Sequence, residues 1–150
     1  MKRRVGDLIE LADRGEFDII VHGCNCFHTM GAGIAYALQQ KWPEVARVDK
    51  ELTNYGDGTK LGTITVADVK PGLRVVNAYT QYSYGAAIMN VDYKAIESAF
   101  IEIERWFGRE EIRFGIPKIG AGLGGGDWNK ISQVIADIMA GENITVVTLK

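Results

Sequence analysis

Two glycine-rich stretches, Met30-Gly-Ala-Gly-Ile-Ala35 and Ile119-Gly-Ala-Gly-Leu-Gly-Gly-Gly126, each lie between a strand-like run and a helix-like run. A turn of this kind lets backbone N–H groups come close to a phosphate, and the following helix adds partial positive charge at its N-terminus. Two such turns in 150 residues point to an α/β chain with a diphosphate or nucleotide-like ligand.

The rest of the chain supports that architecture. Residues 17–22 form a compact apolar run, the mark of a buried central strand, and residues 112–116 form another. Residues 3–11 read as a short strand and a turn, and 144–149 as the last strand. Residues 63–67 and 73–79 flank Lys70-Pro-Gly72, which predicts a hairpin. Helical spacing appears in residues 34–42, 45–55, 91–107 and 129–140. A hairpin added to a doubly wound core implies a three-layer α/β/α domain, residues 1–150, with a mixed, mostly parallel sheet.

Composition excludes several classes. The formal net charge is −2 with both signs scattered, so no face is basic enough to expect duplex nucleic acid as a partner. No apolar run reaches the length of a membrane span, and Met1-Lys-Arg-Arg4 lacks the apolar stretch of a signal peptide. Cys24 and Cys26 sit too close along one strand to pair comfortably, which fits reduced thiols in a cytoplasmic protein. His22, Cys24, Cys26 and His28 alternate, yet an extended segment at ~3.3 Å per residue spreads them over ~20 Å. That is too far to grip one ion, so no metal and no cofactor is expected.

Among phosphate-binding turns, a P-loop fails because no Gly-Lys-Ser/Thr occurs in the chain. Gly120, Gly122 and Gly125 match the glycines of a dinucleotide fingerprint, but the chain ends near the place of its acidic residue and Leu149-Lys150 supplies none. The remaining possibility uses both turns at once, with one diphosphate clamped between two helix N-termini at the ends of neighbouring strands.

Four stretches carry a family resemblance: Val5-Gly-Asp-Leu8, Ile20-Val-His-Gly-Cys-Asn25, Gly31-Ala-Gly-Ile-Ala35 and Ile116-Pro-Lys-Ile-Gly-Ala-Gly-Leu123. Together they resemble the macro domain family over almost the whole chain. The resemblance implies an ADP-ribose binder, the ligand being ADP-ribose, a derivative of it or an ADP-ribosylated macromolecule. It implies that Asp7, with Leu8, meets the adenine and that Asn25, with Cys24, meets the distal ribose. Backbone amides around Gly31, Ala32, Gly33 and Ile34, and around Ile119, Gly120, Ala121, Gly122, Leu123 and Gly124, would hold the diphosphate. His-x-Cys-Asn-Cys, Lys41-Trp-Pro43 and Trp128 look most like the branch of ADP-ribose 1''-phosphate phosphatases and ADP-ribosyl-glutamate hydrolases. The glutamate hydrolases use a lysine after the hairpin and an aspartate in the second loop. Here those regions carry Tyr79-Thr-Gln-Tyr82 and Gly124, which favours phosphomonoester hydrolysis.

Several residues keep two readings. His22 is either structural or catalytic, and His28 is the alternative phosphate-facing histidine. Asp127 is either the cap of the last helix or a group that positions water. Asp7 suits a turn as well as an adenine contact. Tyr82 and Tyr84 are either surface aromatics or the lining of the ribose end.

Overall fold

The computed structural model describes residues 1–84, 90–108, 110–122 and 124–149. In chain order the elements are β1 (Lys2–Val5), α1 (Leu8–Asp13), β2 (Ile19–Cys24), α2 (Gly33–Lys41) and α3 (Glu44–Leu52). They continue through a 3-10 turn at Gly58–Lys60, β3 (Ile64–Lys70), β4 (Leu73–Tyr79), α4 (Tyr93–Phe107), β5 (Arg113–Ile116), α5 (Trp128–Ile138) and β6 (Asn143–Thr148). Six strands form one sheet in the order β1-β6-β5-β2-β4-β3. Every neighbouring pair is parallel except the β3–β4 hairpin.

Two apolar cores cover the two faces of the sheet. On one face α4 places Ile96, Ala99, Phe100, Ile103 and Phe107 at helical spacing, and with Ile131 and Ile135 of α5 they pack on Ile19, Val21, Phe114 and Ile116. On the other face Leu8 and Leu11 of α1, Leu38 of α2 and Val45 of α3 pack on Ile20, Cys24, Val75 and Tyr79. The result is a three-layer α/β/α fold with a mixed, mostly parallel sheet, as the sequence pattern predicts. One local expectation changes. Residues after β1 do not stay in a turn but form α1, because Asp7 accepts from the N–H groups of Ile9 (2.9 Å) and Glu10 (3.1 Å) and caps a new helix.

The topology singles out one crevice. β2 and β5 lie side by side, yet the chain leaves β2 toward β3 on one side and leaves β5 toward β6 on the other. Loops that part in this way leave an opening at the carboxyl ends of the strands, the place where open α/β sheets bind ligands. Both glycine-rich stretches begin there.

Candidate ligand cleft

A cleft of about 700 Å³ lies at this opening, a size that suits a nucleotide-like ligand. The first loop contributes Cys24, Asn25, Gly31, Ala32, Gly33 and Ile34 to its walls, and the second contributes Ile119, Gly120, Gly122 and Gly124. Leu123 lies outside the described residues. Ala121 does not line the cleft; its N–H turns inward to the Lys118 carbonyl at 3.2 Å. The sequence thus joins both loops around one space, but the two differ in how they meet it.

The first loop ends in an uncapped helix. Ala32 stands at the N-cap of α2 with extended backbone and no side chain able to accept a hydrogen bond. Among the described residues no carbonyl receives the N–H groups of Gly33, Ile34 and Ala35. These free donors and the helix dipole favour an anion. Asn25 shapes the approach: its Oδ1 accepts from the Phe27 N–H at 2.8 Å, and its Nδ2 donates to the Thr29 carbonyl at 2.8 Å. Gln39 reaches back from α2 to the Met30 carbonyl at 2.6 Å and fixes the other end.

The second loop is folded on itself. Gly126 N–H donates to the Gly120 carbonyl at 2.7 Å and Gly125 N–H to the Gly122 carbonyl at 3.1 Å. Gly120 has φ +77, and a Cβ there would lie 2.7 Å from a Val91 methyl, so packing alone demands glycine. Gly122 is different. Its φ is ordinary and a Cβ would meet nothing within 4 Å, so no contact among the described residues explains its lack of a side chain. α5 is already capped, because the Asp127 carboxylate accepts from the Asn129 N–H at 2.9 Å.

None of the three catalytic candidates lines the cleft. Asp127 is the cap just described. His22 is 1% exposed and faces the helices α1 to α3, where its Nε2 meets Asn77 Oδ1 at 2.6 Å. Asn77 donates through Nδ2 to the Val45 carbonyl, which fixes its oxygen toward the histidine. His22 therefore carries its proton on Nε2. Burial pulls its pKa from 6.5 to about 4, so it is neutral at ordinary pH.

His28 is held at the other end of the same polar layer. Its Nε2 lies 3.1 Å from the Thr53 carbonyl, which only accepts, so that nitrogen is the protonated one. Thr53 Oγ1 also meets it at 2.9 Å, donates to the Asp49 carbonyl at 2.6 Å and accepts from Lys60 Nζ at 2.9 Å. Buried Asp49 and Lys60 face each other at 3.9 Å, and Tyr79 donates to Asp49 at 2.7 Å. Thr65 links Tyr79 (3.0 Å) to Asn77 (3.1 Å), completing a chain of contacts from His22 to His28. The two histidines thus bracket a structural network under the first loop.

Asp7 and Leu8 are not brought into the cleft either: Asp7 caps α1, and Leu8 is buried in the core. Cys24 and Cys26 are both buried and unpaired, and burial raises both thiol pKa values. Tyr84 lines the cleft and meets Phe27 edge-on, centroids 6.3 Å apart. Tyr82 also packs on Phe27 (4.9 Å) but donates to the Gly56 carbonyl and stays outside. Sequence reasoning passed over Lys118 and Gln81, which also line the cleft. Lys118 stands directly between β5 and the second glycine run, a position that was signal enough.

No family model matches the chain. An uncharacterized 17.5 kDa protein in the tk-vs intergenic region of Enterobacteria phage T4 is 34% identical over 148 residues, covering 95% of this chain and 92% of its own. A macrodomain protein from Streptomyces coelicolor superposes with a TM-score of 0.76, at 24% identity over 98% of this chain and 97% of that one. Thermosipho africanus DarTG, solved in complex with ADP-ribose, matches with a TM-score of 0.71 and 16% identity over 95% of this chain and 39% of that one. The chain belongs to the same family as the phage T4 protein, and its fold is that of a macrodomain.

Proposed function

We propose that the cleft binds ADP-ribose, free or as the terminal group of a modified molecule, with the diphosphate on the N-terminus of α2. The observation that carries this reading is the uncapped start of α2, whose first residues line the cleft together with Gly122. A glycine with no steric demand for one among the described residues leaves the backbone open to close approach of a ligand. The macrodomain fold supports the choice of ligand, since DarTG carries ADP-ribose in its solved complex. Asn25 keeps one N–H beyond its bond to Thr29 and offers it to a ribose hydroxyl. Calorimetry with ADP-ribose tests the reading: one saturable site is expected, and no heat at about millimolar ligand would overturn it.

Binding without turnover is the favoured form of this function. Among the described residues lining the cleft there is no His, Asp or Glu to serve as general base. Hydrolysis of ADP-ribose 1''-phosphate is the second reading. It rests on the amides of α2, which suit the charge that develops on a phosphoryl group. Phosphate release from that substrate separates the two: none above the uncatalysed background is expected for a binding module.

A further inference from the structure

A second hollow, about 610 Å³, runs along the outer edge of the sheet between β1 and α5. Its walls carry Arg3, Arg4 and Lys118, and no carboxylate among the described residues. That is unexpected in a chain with 19 acidic and 17 basic residues. Arg4 is paired with Glu16 outside the hollow, whereas Arg3 and Lys118 have no ion-pair partner among the described residues. Beside these cations α5 presents the half-buried indole of Trp128 and, next to it, Asn129, whose side-chain amide has no partner among the described residues. Lys118 lines this hollow and the cleft, so the two are adjoining spaces.

We propose that this groove binds a short single strand of nucleic acid. Two unpaired cations beside an aromatic face and a free side-chain amide match a phosphodiester backbone with a base to stack and a base edge to bond. A duplex presents two phosphate rows and needs a broad basic face, which a chain of net charge −2 does not offer. An acidic peptide would use the cations but leave the indole and the amide idle. The groove's ligand does not depend on what fills the cleft.

Fluorescence anisotropy with a labelled oligothymidylate of about ten nucleotides tests the proposal on the full chain. Binding is expected, with a slope of log affinity against log salt of about −1.4 for the two unpaired cations, Arg3 and Lys118, at ~0.7 each. Arg3 is exposed, so Arg3→Glu leaves the fold intact and weakens binding about tenfold or more. Lys50→Glu makes the same charge change on α3, across the sheet, and leaves it unaltered. Absence of binding, a flat salt dependence, equal loss in both variants, or tighter binding of a duplex or of polyglutamate would each overturn the proposal. Calorimetry of Arg3→Glu with ADP-ribose keeps the two sites apart, because Arg3 does not line the cleft.

Discussion

The two strand–loop–helix units that frame the cleft look alike in sequence and are built on different principles. In the β5–α5 unit, the strand buries Phe114 and Ile116, α5 buries Ile131 and Ile135, and Asp127 closes the helix start. In the β2–α2 unit, α2 buries only Leu38, has no cap, and hangs on the Gln39–Met30 bond above a polar layer. One unit closes its helix start with its own side chain and supplies rigid shape. The other leaves backbone donors unsatisfied, which costs stability and keeps a place for an anion.

Adding the missing cap sharpens that contrast most. Ala32 already has the extended backbone of an N-cap (φ −150, ψ 161), so Ala32→Asp should cap α2 and stabilise the fold by about 1 kcal/mol. The same carboxylate would face the bound diphosphate. At ~5 Å and an effective dielectric of ~20, the repulsion is about 3 kcal/mol, or roughly 100-fold in affinity. Thermal unfolding and ADP-ribose calorimetry should thus move in opposite directions. If affinity is kept, the α2 N-terminus is not the diphosphate site.

Acid should weaken the β2 side of the molecule through His22. Its pKa is about 4 in the fold against 6.5 when unperturbed, so as pH falls the unfolded chain takes up the proton first. The stability gained from keeping it neutral is complete above pH ~6.5, declines below that, and is gone by pH ~4. Between pH 7 and pH 5 the loss is about 2 kcal/mol, measurable by urea unfolding. His22→Gln should remove this share of the pH dependence. An equal slope in the variant would assign it to other groups.

What the sequence made legible follows from the range of the forces involved. The buried strands show as apolar runs, and α4 and α5 show as apolar stripes, the second opened by its aspartate cap, because all of that is decided within a few residues. The loop glycines were legible for the same reason. α1 was missed since Leu8–Asp13 is too short for a periodic signal, although Asp7 had announced its start. The roles of His22 and His28 were not legible, because their partners Asn77 and Thr53 lie 55 and 25 positions away. A polar residue at a strand end reads the same whether it faces a ligand or a neighbouring layer. Only the register of β2 against β4, pairing His22 with Asn77, decides between them.

Within the second loop, two glycines break the comparison into testable halves. Gly122→Val fills open space, so the unfolding temperature should hold while ADP-ribose affinity falls about tenfold, roughly 1.4 kcal/mol. Gly120→Val instead meets Val91 with an unsuitable φ, and should lower the unfolding temperature. If Gly122→Val binds normally, the second loop gives shape alone and ligand contact belongs to the first.

The smallest effect is expected at Asp127, and it separates a cap from a catalytic group. As a cap, Asp127 contributes about 1 kcal/mol through its bond to Asn129, so Asp127→Ala should lower the unfolding temperature by a few degrees. Asp127→Asn or Asp127→Ser keeps an acceptor oxygen there and should restore most of the loss, since capping needs the oxygen rather than the charge. ADP-ribose affinity should stay near wild type in all three, because the side chain lies outside the cleft. A general base would behave otherwise, losing function in the Asn and Ser variants as fully as in Ala. Rescue of stability by these acceptors would therefore leave the α5 end of the site with a purely architectural part, and the anion to α2.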